Sequence, residues 1–125
     1  MGLESNTRQP DPDCIFCKIV KGEIPSKFLL ETEDLVAFND ISPQAPTHVL
    51  IIPRQHVKDI SKFSSNQEDK TLLGTLFQQA AELALKLKLE SGFRLVVNTG
   101  DDGGQTVHHL HLHLIGGRQM TWPPG

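Results

Sequence analysis

At 125 residues, 38% of them hydrophobic, the chain has room for one core and not for two. A net charge of −3 with no basic stripe gives nucleic acid no electrostatic footing. No apolar run approaches the roughly 20 residues that cross a bilayer, which argues against a membrane partner.

Residues 1–12 are polar and Pro-containing and predict a disordered lead-in to a single domain over 13–125. They carry no charged-then-apolar signal pattern, and Asn6 breaks the myristoylation motif that Gly2 would open. The expected compartment is the cytoplasm, with passive entry to the nucleus open. Cys14 and Cys17 stand too close to staple a fold and point to metal or redox chemistry. Residues 14–20 read as a short amphipathic helix ending at Gly22. Strands follow at 28–31 and 35–38, joined by the polar turn Thr32-Glu33-Asp34. A loop punctuated by Pro43 and Pro46 leads to a β-prone strand over 48–52, stopped by Pro53. Ser65-Asn66-Gln67-Glu68 fits a capping box that opens the main helix. Leu73, Leu76, Phe77, Ala80, Ala84 and Leu87 recur behind it at helical spacing, as one core stripe. Residues 93–98 read as a fourth strand, and a glycine-rich loop over 99–105 leads to a last one over 107–115. One strong helix between groups of strands makes the fold α+β with a mostly antiparallel sheet.

That last strand carries the chemistry. Successive side chains in a strand point to opposite faces, so His109, His111 and His113 share one face and Leu110, Leu112 and Leu114 the other. Imidazole serves as nucleophile, general acid or base, or metal ligand near neutral pH. Gly100, Gly103 and Gly104 permit a nest of amides for an anionic group, beside the side-chain donors of Gln105 and Thr106. Cys14-Ile15-Phe16-Cys17 has zinc-ligand spacing.

Gly104-Gln105-Thr106-Val107-His108-His109-Leu110-His111-Leu112-His113-Leu114 resembles the signature of the histidine triad (HIT) superfamily. More narrowly the chain is similar to its Hint branch of histidine triad nucleotide-binding proteins. Asp40-Ile41-Ser42-Pro43-Gln44-Ala45-Pro46-Thr47-His48 and the segment from Gly116 to Gly125 match that branch too. The resemblance implies a HIT-like fold, a five-stranded antiparallel sheet with one long and one short helix, dimerising into a ten-stranded sheet. It implies a purine nucleoside phosphoramidase, which also hydrolyses acyl-adenylates, releases AMP or GMP and needs no cofactor for catalysis. His111 would be the nucleophile that forms a nucleotidyl-histidine intermediate, with His113 binding the phosphate and His109 orienting His111. His48 matches the family's fourth active-site histidine. Asn98, Gln105 and Thr106 match residues that hold phosphate and leaving group, with threonine where most Hint proteins carry serine. Asp40 matches the ribose acceptor, and Ile15, Phe16, Ile19, Ile24, Phe38, Ile41 and Leu50 match the apolar pocket around the base. Trp122, on the tail, would reach the leaving-group side of the partner subunit's site. Cys14, Cys17, His56 and His109 match a structural zinc site found in some members. Two other readings stay open: a nucleotide-binding adaptor acting through protein partners, and a metal-dependent hydrolase with zinc on the triad itself.

Overall fold

A computed structural model describes residues 8–125, so residues 1–7 of the expected lead-in lie outside the described residues. The elements run α1 (Ile15–Lys21), β1 (Phe28–Glu31), β2 (Leu35–Asn39), β3 (Thr47–Pro53), a 3-10 turn (Ile60–Lys62), α2 (Gln67–Lys86), β4 (Phe93–Val97) and β5 (Leu112–Gly116). The five strands form one antiparallel sheet in the order β1-β2-β3-β5-β4, the expected α+β architecture. No helix among the described residues is long and apolar enough to cross a membrane.

Strand alternation divides the core in two. Leu35, Ala37, Val49, Ile51, Leu112 and Leu114 face α2, where Leu72, Leu76, Ala80, Leu83 and Ala84 close over them. The opposite face presents Val36, Phe38, Leu50 and Ile52, covered by Phe16 and Ile19 of α1. Helix α1 is held at both ends: Cys14 Sγ accepts the Cys17 amide at the N-cap, and Gly22 ends it at φ 82° in the left-handed region that glycine allows.

Three expectations need correction. Helix α2 is capped by Asn66, not Ser65: the Asn66 side chain accepts the Asp69 amide at 2.8 Å, while Ser64 Oγ accepts the Asn66 amide. Asparagine caps as well as serine, so the N-cap slides by one residue, and the Asp69 carboxylate accepts the Ser64 amide rather than closing a reciprocal box. The stripe of α2 is also rotated, centred on Leu72 and Leu76, and it leaves Phe77 exposed. Apolar residues on both flanks of that arc let the periodicity fit either phase. Finally, the histidine strand is shorter than 107–115. The β3–β5 ladder ends at Ile51↔Leu112. The next pair in register, Ile52 with His111, is not made, and the one after it would set Leu110 against Pro53, which has no N–H to give. The Leu110 amide turns instead to the Val57 carbonyl at 2.6 Å.

Candidate active site

The histidine segment therefore splits. His113 stands on β5 opposite Leu50 and Val96, while His109 and His111 precede the strand. The alternation still holds across the junction. Leu110, Leu112 and Leu114 are buried in the core under α2, and the three imidazoles lie on the other face. The rings of His111 and His113 are 5.0 Å apart, and Phe16 stands edge-on to both His109 and His111.

Hydrogen bonds assign the tautomer of each ring. His111 Nδ1 donates to the His109 carbonyl at 2.8 Å, which leaves the lone pair on its Nε2. The Gln44 amide donates to His48 Nδ1 at 3.0 Å, so His48 carries its proton on Nε2 and gives it to His113 Nδ1 at 2.9 Å. His113 in turn keeps its proton on Nε2. Burial, reinforced by His111 and His48 and opposed by Asp40, pushes the His113 pKa down to about 4, so the ring is neutral near pH 7.

His109 faces away from this pair. Its Nε2 donates to the Pro53 carbonyl at 2.9 Å, leaving the Nδ1 lone pair beside Cys14 Sγ (3.4 Å), Cys17 Sγ (3.6 Å) and His56 Nδ1 (3.3 Å). Cys17 Sγ and His56 Nδ1 are 3.3 Å apart. Those separations match the edges of a tetrahedron with metal–nitrogen bonds of about 2.0 Å and metal–sulfur bonds of about 2.3 Å. The donor set fits zinc in chemistry as well. Burial lowers the His109 pKa to about 4, which keeps the ring neutral and able to ligate. Burial, opposed by the Cys17 amide and helped by the Cys17 thiol, raises the Cys14 thiol to about 11, so at neutral pH its proton leaves only when a bound cation displaces it. A second constellation, Asp40, His48 and His113, also brings its donor atoms within 4.8 Å of one another. There the Gln44 amide occupies His48 Nδ1 and keeps Nε2 protonated, so His48 aims no lone pair inward and the His113 Nδ1 lone pair is taken by His48.

The glycine-rich loop is a self-paired turn, which corrects the expected anion nest. The Gly100 amide donates to Gln105 Oε1, Gly104 to Asp101, and the Gln105 amide to Gly100. Gln105 is buried, and its side-chain nitrogen donates to both the Lys58 and Val107 carbonyls. Its two donor hydrogens are thus committed to main-chain carbonyls outside the loop. A Cβ on Gly103 would fall 2.2 Å from the Thr99 carbonyl oxygen, so the loop closes only around glycine. Asn98 donates to Gly103 at 2.7 Å, and Thr106 is exposed at the loop's exit. Asp40 accepts the Ser42 amide on one oxygen and lies 3.4 Å from His48 Nε2 with the other.

Phe16, Ile19, Phe38 and Leu50 meet in the α1-side cluster, with Ile24 packed on it. Ile15 is 48% exposed, and Ile41 is 99% exposed on the turn that Asp40 caps, so neither joins that cluster. Trp122 is 80% exposed on the tail. Three main-chain groups that side-chain patterns do not reveal complete the site: the Gln44 amide, the Pro53 carbonyl and the His109 carbonyl. Proline at 53 is readable only as a strand terminator.

Residues 21–120 match the HIT domain family. A HIT family hydrolase from Legionella pneumophila Philadelphia 1 is 52% identical and superposes with a TM-score of 0.85, covering 90% of this chain and 100% of that one. A histidine triad nucleotide-binding protein from Candida albicans is 35% identical with a TM-score of 0.75, over 89% of this chain and 83% of that one. A 14 kDa zinc-binding protein of Zea mays is 49% identical over 120 residues, 94% of this chain and 92% of that protein.

Proposed function

The chain belongs to the HIT domain family, and from that premise we propose that it is a purine nucleoside phosphoramidate hydrolase of the Hint branch, working through a nucleotidyl-histidine on His111. The observation that carries this reading is the His111 ring, whose Nδ1–H is tied to the His109 carbonyl at 2.8 Å. Its Nε2 lone pair is thereby free for a phosphorus atom.

In the first step His111 Nε2 forms a bond to the α-phosphorus, and the phosphorus–nitrogen bond to the leaving amine breaks. The amine departs with a proton drawn from solvent and relayed by the Thr106 hydroxyl, the loop's group for that side. The ring becomes an imidazolium whose Nδ1–H faces the His109 carbonyl oxygen, which stabilises the charge. His113, neutral with its proton on Nε2, donates to a phosphoryl oxygen beside the attack. In the second step water attacks phosphorus and gives a proton to solvent, the bond to His111 breaks with its electrons returning to Nε2 of a neutral ring, and the nucleoside monophosphate leaves. Phe16, Ile19, Ile24, Phe38 and Leu50 supply the apolar side of the base site, with Ile15 and Ile41 at its solvent edge. Asp40 has lone pairs left for the ribose hydroxyls.

Zinc held by Cys14, Cys17, His56 and His109 would supply cross-linking of the N-terminal segment to the catalytic one. The separations among those donors support it. A homodimer is supported by β4, whose outer edge has no strand partner among the described residues and whose flank carries the exposed Phe93.

The test is mass spectrometry of protein quenched during turnover of an adenosine 5′-phosphoramidate. An added AMP located on His111, absent in a His111→Ala protein that still binds AMP, is the expected result. AMP binding without turnover or adduct would refute the reading and leave the nucleotide-binding adaptor.

A further inference from the structure

We propose that Arg118, outside the histidine cluster, is a positioning residue that fixes which nitrogen of His48 and His113 carries the proton, acting through the Gln44 backbone. The inference rests on the reading above for its catalytic consequence, but its structural part stands on hydrogen bonds alone.

Strand β5 ends at Gly116, and Gly117 turns the chain at φ 93° against Pro46, where an added Cβ would lie 3.0 Å from the proline's own. Arg118 then reaches back, its Nε donating to the Gln44 carbonyl at 3.0 Å. The amide of that same residue donates to His48 Nδ1 at 3.0 Å, and His48 Nε2 donates to His113 Nδ1 at 2.9 Å. Three hydrogen bonds thus join a guanidinium on the surface to the His113 ring.

The stretch needs such an anchor. Pro43 and Pro46 have no amide hydrogens, so they donate no backbone hydrogen bond from this loop. On the histidine side it is held by Asp40, which takes the Ser42 amide at 2.8 Å and gives its own amide to the His48 carbonyl at 2.9 Å. Arg118 grips the other flank. Release of the Gln44 carbonyl lets residue 44 rotate and withdraws its amide from His48 Nδ1. His48 then takes the proton on Nδ1, His113 must donate from Nδ1, and His113 Nε2 meets the phosphate as a lone pair rather than a donor. That exchange turns an attraction into a repulsion at the reacting group.

The test reads tautomers directly, by long-range proton–nitrogen correlation of the imidazole rings in the full-length, zinc-loaded protein without substrate. The wild type should show single Nε2–H tautomers for His48 and His113. Arg118→Ala should move both toward averaged shifts while His109 and His111 stay put, and Arg118→Lys, which keeps a cationic donor, should restore them. Arg94→Ala removes only the 3.0 Å bond from Arg94 to the Thr121 carbonyl and serves as the control for a loosened tail. With an adenosine 5′-phosphoramidate, Arg118→Ala should lower kcat about fivefold and leave KM unchanged. Unaltered His48 and His113 shifts in Arg118→Ala overturn the proposal, whatever the rates do. The same shift change in Arg94→Ala overturns it too, because a freed tail would then be the cause. Failure of the phosphoramidase reading would appear separately, as a wild-type protein with no turnover.

Discussion

Arg8 lies before the first helix, yet its guanidinium binds Asp69 at both oxygens, 2.6 and 2.8 Å, and stacks over the Phe63 ring at 5.4 Å. Asp69 is 3% exposed at the start of α2 and also accepts the Ser64 amide at 2.6 Å. The Arg8 hydrogen bonds, opposed by burial and helped by Ser64, drive its pKa from 3.8 to about 2. That shift corresponds to about 2 kcal/mol of stability at neutral pH. Asp69→Asn should lose that amount. Arg8→Ala leaves the Ser64 amide and the helix N-terminus in place, and should lose about 1–2 kcal/mol. For a chain of this size either loss lowers the melting midpoint by roughly 4–8 °C. Because the folded pKa lies below the unfolded one, the stabilisation is present above pH 4 and disappears as pH falls from about 4 to about 2. Thermal melts of wild type and both variants, compared pH by pH from 7 to 3, should therefore show a gap to Asp69→Asn that narrows by about half by pH 3. A gap that is the same at pH 7 and pH 3 would refute the reasoning, as would Arg8→Ala melting with the wild type at pH 7.

Cys17→Ala removes one of the four donors facing the metal position, so zinc counted by plasma emission should fall from about one per chain to a small fraction. Undiminished zinc in that variant would refute the cluster. Gln105→Leu leaves the Gly100 amide and the Lys58 and Val107 carbonyls without the partners they have at 3.0, 2.8 and 3.0 Å. It should cost about 2–3 kcal/mol in urea denaturation, and an unchanged midpoint would show that water replaces the clamp.

Legibility in the sequence followed what each signal reports. Alternation reports faces, so the burial of Leu110, Leu112 and Leu114 opposite the histidines was readable. It does not report backbone pairing, and the ladder's end at Ile51↔Leu112 shortened the strand. Spacing on α2 gave a helix but not its phase, because Leu72 and Leu73 are both apolar. In the loop after β4, glycines marked a tight turn, whereas the destination of its amides, inward onto Gln105, depends on contacts forty-odd residues away in sequence at Lys58. The side chains of the candidate site were readable as types and spacings. Their tautomers were not, since the groups that set them are main-chain atoms of residues 44, 53 and 109.

His109 shows how those main-chain links divide the labour. Its Nδ1 points to the cysteine cluster, its Nε2–H is spent on Pro53, and its carbonyl, not its ring, holds His111 Nδ1. The orientation of His111, the proposed nucleophile, therefore depends on the backbone at 109. On one side that backbone is tied by the Leu110 amide to Val57 at 2.6 Å, and on the other it enters the ladder at Leu112. Loss of the metal cluster frees the ring and the N-terminal segment, but these two anchors still place the carbonyl. Zinc removal should accordingly lower stability before it lowers kcat. Displacement of the Leu110–Val57 bond should do the reverse, disabling His111 in a chain whose α2 core is intact.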